Sequence, residues 1–127
     1  MKHKRCRLYL VTPSKLNVKA FCDDLSKAFD GGDISALQVR LKDVSDDEVC
    51  RAVDAFLPIA SEHGSAVIIN DYPHLVKKTG ANGAHIGQSD TSFEKAREMI
   101  GTEKIIGVTC HGSPHLAMEA GEQGFQA

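Results

Sequence analysis

The chain has 127 residues, of which 42% are hydrophobic and 25% charged, and its formal net charge is -2 at pH 7. These values predict one soluble globular domain, and the interspersed charges argue against nucleic acid as the main partner. No segment reaches the roughly 18 apolar residues that a membrane-spanning helix needs. The 4 cysteines are widely spaced without a CxxC pair, which is typical of reduced thiols. A cytoplasmic location is therefore predicted.

Short aliphatic segments alternate with helical patterns along the chain. The aliphatic segments predict five strands, over residues 7–11, 36–42, 66–70, 83–87 and 105–109. A helix signal follows each strand. The first helical pattern covers 17–29 and ends at Gly31-Gly32, and the second helix begins at the capping box Ser45–Glu48 and runs to about His63. The remaining signals are Pro73 before a short helix that ends near Gly80, a second capping box at Thr91–Glu94, and Ser113-Pro114 at the start of a fifth helix. A β-α unit repeated five times requires parallel strands with right-handed crossovers.

Two architectures use this order, the open doubly wound sheet and the (β/α)8 barrel. The turn after the first strand reads VTPSKLN and lacks the glycine-rich GxGxxG pattern, so a dinucleotide-binding fold loses its main support. The second strand, in ALQVRLKD, has an aliphatic face and a face that carries Gln38, Arg40 and Lys42. Helices cover both faces of a central strand in an open sheet, whereas one face of a barrel strand points inward, toward the mouth. This strand favours the barrel, and a charged edge strand remains the alternative.

Polar residues also follow the later strands, where α/β enzymes place their chemistry. Asp71 and Asp90 would supply two carboxylates, and Arg40 and Lys42 two cations, on one rim of a barrel. Carboxylates with few other ligands suit Mg²⁺ (magnesium), and Arg and Lys suit phosphate oxygens, so the set predicts a diphosphate site. Two alternatives stay open: Asp71 caps the short helix that follows, and His85 is either a catalytic base or a partly buried structural histidine.

The segments LYLVT, LQVRLKD, IINDYP, GAHIGQSD, IIGVTCH and HLAMEAGEQG together resemble the thiamine-phosphate synthase (thiamine-phosphate pyrophosphorylase) family, in order over nearly the whole chain. The resemblance implies a cytoplasmic (β/α)8 TIM barrel. It also implies a Mg²⁺-dependent transferase that couples 4-amino-2-methyl-5-(diphosphooxymethyl)pyrimidine to a thiazole phosphate and releases diphosphate. By the same resemblance the metal ligands are Asp71 and Asp90, and the pyrimidine diphosphate is bound by Gln38, Arg40, Lys42, Asn70 and Thr109. Thr109 stands where the family commonly has serine.

Family barrels have eight β/α units, whereas only the first five are present in this sequence. Residues 1–127 are therefore expected to form a single N-terminal portion of a TIM-barrel domain. By the resemblance, the absent part would hold the thiazole phosphate. A partial barrel would expose two sheet edges, so a marginal, aggregation-prone or homo-oligomeric chain is predicted. The alternatives are a thiazole tautomerase using His85 or His111, and an inactive barrel fragment that only binds Mg²⁺-diphosphate or a partner chain.

Overall fold

The computed structural model describes residues 7–87 and 92–109, together with Pro114, His115 and Met118. In this part of the chain five parallel strands form one sheet in the order β1-β2-β3-β4-β5. The strands are β1 Leu8–Val11, β2 Ile34–Val39, β3 Ala66–Asn70, β4 Gly83–Ile86 and β5 Ile105–Val108. A doubly wound sheet reverses its strand order at a switch point. The order here runs in one direction, so the chain has the α/β topology of a partial (β/α) barrel.

Helices fill the connections between the strands. They are α1 Val18–Gly31, α2 Asp46–Glu62, a 3₁₀ turn Pro73–Leu75 that continues into α3 Val76–Thr79, and α4 Phe93–Ile100. Local capping explains where the longer ones begin: Asn17 accepts from the backbone N–H of Ala20 at 3.0 Å, and Ser45 accepts from Glu48 at 3.2 Å. Of the fifth predicted helix the structure describes Pro114, His115 and Met118, and all three are helical.

The predicted second capping box is wrong in its first residue. The N-cap of α4 is Ser92, whose hydroxyl accepts from the backbone N–H of Lys95. Thr91 lies outside the described residues. Serine and threonine are both favoured N-caps, and α4 begins at Phe93, which makes Ser92 the capping residue.

The strand predicted over 36–42 begins earlier and ends earlier than expected, at Ile34 and Val39. The ladder stops because the backbone N–H of Arg40 donates to the side-chain hydroxyl of Thr12, at 2.9 Å, instead of to a strand carbonyl. Arg40 and Lys42 therefore belong to the loop between β2 and α2. The strands predicted over 7–11, 83–87 and 105–109 are each one residue shorter in the structure, and the strand over 66–70 is confirmed.

The two faces of the sheet differ as the barrel interpretation requires. One face packs against the helices in a single core that includes Leu37, Val39, Ile69 and Phe56, all at most 1% exposed. The opposite face lines an open cavity of about 280 Å³, whose walls include Tyr9 and Ile68. A helix layer covers one side of the sheet and leaves the other side open, so polar groups that follow the carboxyl ends of the strands lie along one rim of the open side.

Candidate functional site

The centre of the candidate site is an ion pair between neighbouring strand ends. Lys42 Nζ lies 2.6 Å from Asp71 Oδ2, and the two side chains are 37% and 28% exposed. Lys42 comes from the loop after β2, where its backbone N–H donates to the carbonyl of Ser14 at 3.0 Å. Asp71 directly follows β3. The structure thus joins a predicted phosphate-binding cation with a predicted metal ligand.

Asp71 adopts an uncommon backbone conformation, with φ at 66°. Its backbone N–H donates to the carbonyl of His85 at 2.9 Å, which ties the end of β3 to β4. Left-handed conformations of residues other than glycine are uncommon and tend to occur at functional sites. The helix-capping alternative is wrong, because the N-cap of the following 3₁₀ turn is Tyr72 and that turn has no side-chain cap bond.

Asn70 is the last residue of β3 and is only 7% exposed. It shares the concave face with Ile68, because alternate residues of a strand point to the same side. Its side-chain amide nitrogen is buried and has no hydrogen-bond acceptor within the described residues. Buried donors are nearly always paired, so this amide indicates a position for an acceptor supplied by a ligand.

His85 and Thr109 form a second contact pair across β4 and β5. His85 Nε2 lies 2.7 Å from Thr109 Oγ1. Burial lowers the pKa of the His85 imidazole, and the nearby carboxylate of Asp71 opposes this shift. A neutral imidazole donates through one ring nitrogen and accepts through the other. The contact can therefore orient both side chains while His85 stays uncharged.

Gln38 is buried on the concave face, where its amide donates to the Tyr9 hydroxyl at 3.4 Å. Burial raises the pKa of the Tyr9 phenol, and the bond from Gln38 works in the opposite direction. Sequence reasoning assigned no role to Tyr9. The signal was available, because Tyr9 and Val11 alternate with Leu8 and Leu10 in the first strand.

Arg40 lies exposed at the rim, where its main chain is held by Thr12. Thr12 is only 4% exposed, and its backbone N–H donates to the carbonyl of Gln38 at 3.0 Å. Thr12 therefore fixes the main chain between two predicted substrate-binding residues. Sequence reasoning missed it, although a threonine directly after the first strand was a usable signal.

The second predicted metal ligand, Asp90, lies outside the described residues, as does His111. Among the residues that the structure describes, no group of three or more His, Cys, Asp or Glu side chains is arranged to hold a metal ion. Asp71 nevertheless presents a hard oxygen donor, and Mg²⁺ is commonly held by one or two carboxylates together with substrate phosphates. The donor chemistry at this rim fits such an ion.

None of the helices in the described part of the chain combines the length and the apolar character that a membrane span requires.

Comparison with known proteins assigns the chain to a family. The family profile described as thiamine monophosphate synthase matches residues 8–126. The thiamine-phosphate synthase of Rhodospirillum centenum is 46% identical over 119 residues, which cover 94% of this chain and 58% of that protein. The thiamine-phosphate synthase of Erythrobacter litoralis is 42% identical over 121 residues, which cover 93% of this chain and 56% of that protein.

A solved structure agrees with the sequence matches. Thiamine phosphate pyrophosphorylase from Pyrococcus furiosus superimposes with a TM-score of 0.79 at 26% identity, covering 94% of this chain and 56% of that chain. The chain thus spans little more than half the length of the relatives it matches. Sequence profile, relatives and fold agree, and the chain belongs to the thiamine monophosphate synthase family.

Proposed function

We propose that the rim binds the diphosphate of 4-amino-2-methyl-5-(diphosphooxymethyl)pyrimidine as part of a thiamine-phosphate synthase. The observation that carries this proposal is the Lys42–Asp71 ion pair next to the buried amide of Asn70, which lacks an acceptor within the described part of the chain. An ammonium group and an amide donor at adjacent strand ends suit an anion with several oxygens. Family membership supports the same substrate class.

Each residue of the rim has its own role in the proposed reaction. Lys42 and the exposed Arg40 bind diphosphate oxygens and stabilise the charge that develops as the methylene–oxygen bond breaks. Asn70 donates to the same group, and Gln38 and Thr109 contact the pyrimidine substrate. The methylene carbon then forms its new bond to the thiazole nitrogen, so that diphosphate and thiamine phosphate are the products.

Asp71, together with Asp90, would hold Mg²⁺ at this rim. A bound Mg²⁺ would neutralise charge on the departing diphosphate. The ion pair with Lys42 is compatible with this role, because a carboxylate has two oxygens and can serve an ammonium group and a metal ion together. Lys42 would keep the Asp71 side chain pointing toward the rim in the absence of substrate.

The direct test is turnover by the whole protein that the gene encodes. With both substrates and MgCl₂, diphosphate and thiamine phosphate should appear in equal amounts, and chelation by EDTA should stop their formation. Diphosphate binding without turnover would favour an inactive barrel fragment. Isomerisation of a thiazole phosphate without diphosphate release would favour the tautomerase alternative, which no contact among the described residues specifically supports.

Asn70→Leu should raise stability and lower diphosphate affinity at once. Leucine has a similar volume and removes a buried donor whose desolvation costs about 1–3 kcal/mol. The free energy of unfolding is therefore expected to rise by about 1 kcal/mol, while Mg²⁺-diphosphate should bind at least roughly tenfold more weakly, since the lost hydrogen bond is to a charged group. Urea denaturation and calorimetry measure the two effects. A loss of stability with unchanged affinity would contradict the assignment of Asn70.

The 127-residue chain by itself is expected to form dimers or larger species. Leu8 and Val11 are 58% and 51% exposed, and within the described residues β1 pairs only with β2. Exposed apolar edge strands pair readily with other chains. Size-exclusion chromatography checks this expectation, and a sharp monomer peak with a cooperative melt would contradict it.

A further inference from the structure

We infer that His85 is a positioning residue that donates from Nε2 to Thr109 Oγ1 and so fixes the threonine hydroxyl at the substrate rim. This inference rests on the proposed function, in which Thr109 contacts the pyrimidine substrate. It assigns His85 a role that is neither catalytic base nor inert core residue.

The contact pair is built into the sheet. His85 pairs with Gly107 in the β4–β5 ladder, and Thr109 follows two residues later on the same face. The backbone N–H of Thr109 donates to the carbonyl of Ile86 at 3.1 Å, which fixes its main chain beside β4. A threonine side chain still has alternative rotamers at such a position, and the 2.7 Å contact with His85 Nε2 selects one of them.

The other ring nitrogen indicates which tautomer is present. His85 Nδ1 is buried and has no hydrogen-bond partner in the described part of the chain. A buried N–H without a partner is rarer than a buried acceptor without one. The proton therefore lies on Nε2, which donates to the threonine oxygen.

His85 also contacts the other half of the site through its main chain. Its carbonyl accepts from the backbone N–H of Asp71 at 2.9 Å, and its side chain holds Thr109. A side-chain substitution at His85 removes the second contact and leaves the first in place. The role of the imidazole can therefore be separated from the support of Asp71.

A double-mutant cycle between His85→Leu and Thr109→Val tests the inference in the whole protein. Each single change should lower kcat/KM about tenfold, the equivalent of one hydrogen bond. The double variant should lose no more than either single variant, because both remove the same contact. His85→Gln should stay within roughly threefold of the wild type, since its amide reaches the Nε2 position with a donor. The same cycle is repeated with the binding affinity for the pyrimidine diphosphate substrate in the presence of Mg²⁺.

Losses that multiply to about a hundredfold in the double variant would overturn the inference, because independent sites add in free energy. A His85→Gln variant no better than His85→Leu would also overturn it, since a purely structural histidine is not rescued by a matched donor. If His85→Leu does not fold, His85→Asn replaces it, as its shorter amide does not reach Thr109. A wild-type protein without turnover would overturn the proposed function, whereas the cycle of substrate affinities tests the histidine–threonine pair separately.

Discussion

Replacement of Asp71 by asparagine is expected to lower kcat/KM at least roughly a hundredfold while leaving stability nearly unchanged. The variant keeps the shape of the side chain and tolerates the observed φ of 66°, so the charge is the main difference. Its partner Lys42 is partly exposed, and such ion pairs contribute only about 0–1 kcal/mol to folding. The activity loss follows from the loss of a metal ligand and of the group that orients Lys42.

Steady-state kinetics at increasing Mg²⁺ concentration separate these two contributions. Asp71→Asn should require more Mg²⁺ for half-maximal activity, whereas Lys42→Met should lose activity without that shift. Asp33→Asn is the matched control, because Asp33 pairs with Arg7 at 2.8 Å before β2, at the opposite end of the sheet. It should keep wild-type activity. Unchanged activity in Asp71→Asn would rule out the proposed metal ligand.

Gly83→Ala should be the most destabilising single-methyl change in the described part of the sheet. A Cβ on Gly83 would lie 2.1 Å from the carbonyl oxygen of Ile105 and 2.8 Å from Ile105 Cβ. Backbone cannot move aside as a flexible side chain does, so β4 and β5 must separate at their first paired position. A cost of about 3 kcal/mol is expected, the upper end for an overpacked core.

Gly31→Ala is the control for this change. Gly31 is the last residue of α1, and a Cβ there would meet nothing within 4 Å. Alanine at that position should be neutral or stabilising by up to about 1 kcal/mol, because it restricts the unfolded chain. Thermal and urea denaturation compare the two variants. Equal stability of Gly83→Ala and Gly31→Ala would show that the two strands accommodate the methyl group.

Local sequence signals determined the order of elements and much of the site. Period-two alternation placed the second strand, and Ser45 with Glu48 marked the start of α2, because both signals depend on neighbours within a few residues. With a barrel assumed, the sequence also placed Lys42 and Asp71 on one rim, and in the structure their side chains form an ion pair. Their assigned roles in binding substrate and Mg²⁺ remain predictions.

Only the tertiary structure decided how these residues meet. The choice between a barrel and a doubly wound sheet rests on the strand order, which arises from pairing between segments far apart in the chain. The end of β2 depends on a hydrogen bond from Arg40 to Thr12, 28 positions away in sequence. The contact between His85 and Thr109 spans 24 positions and crosses two strands. Sequence patterns report local periodicity and local caps, whereas such contacts exist only once the strands are in register.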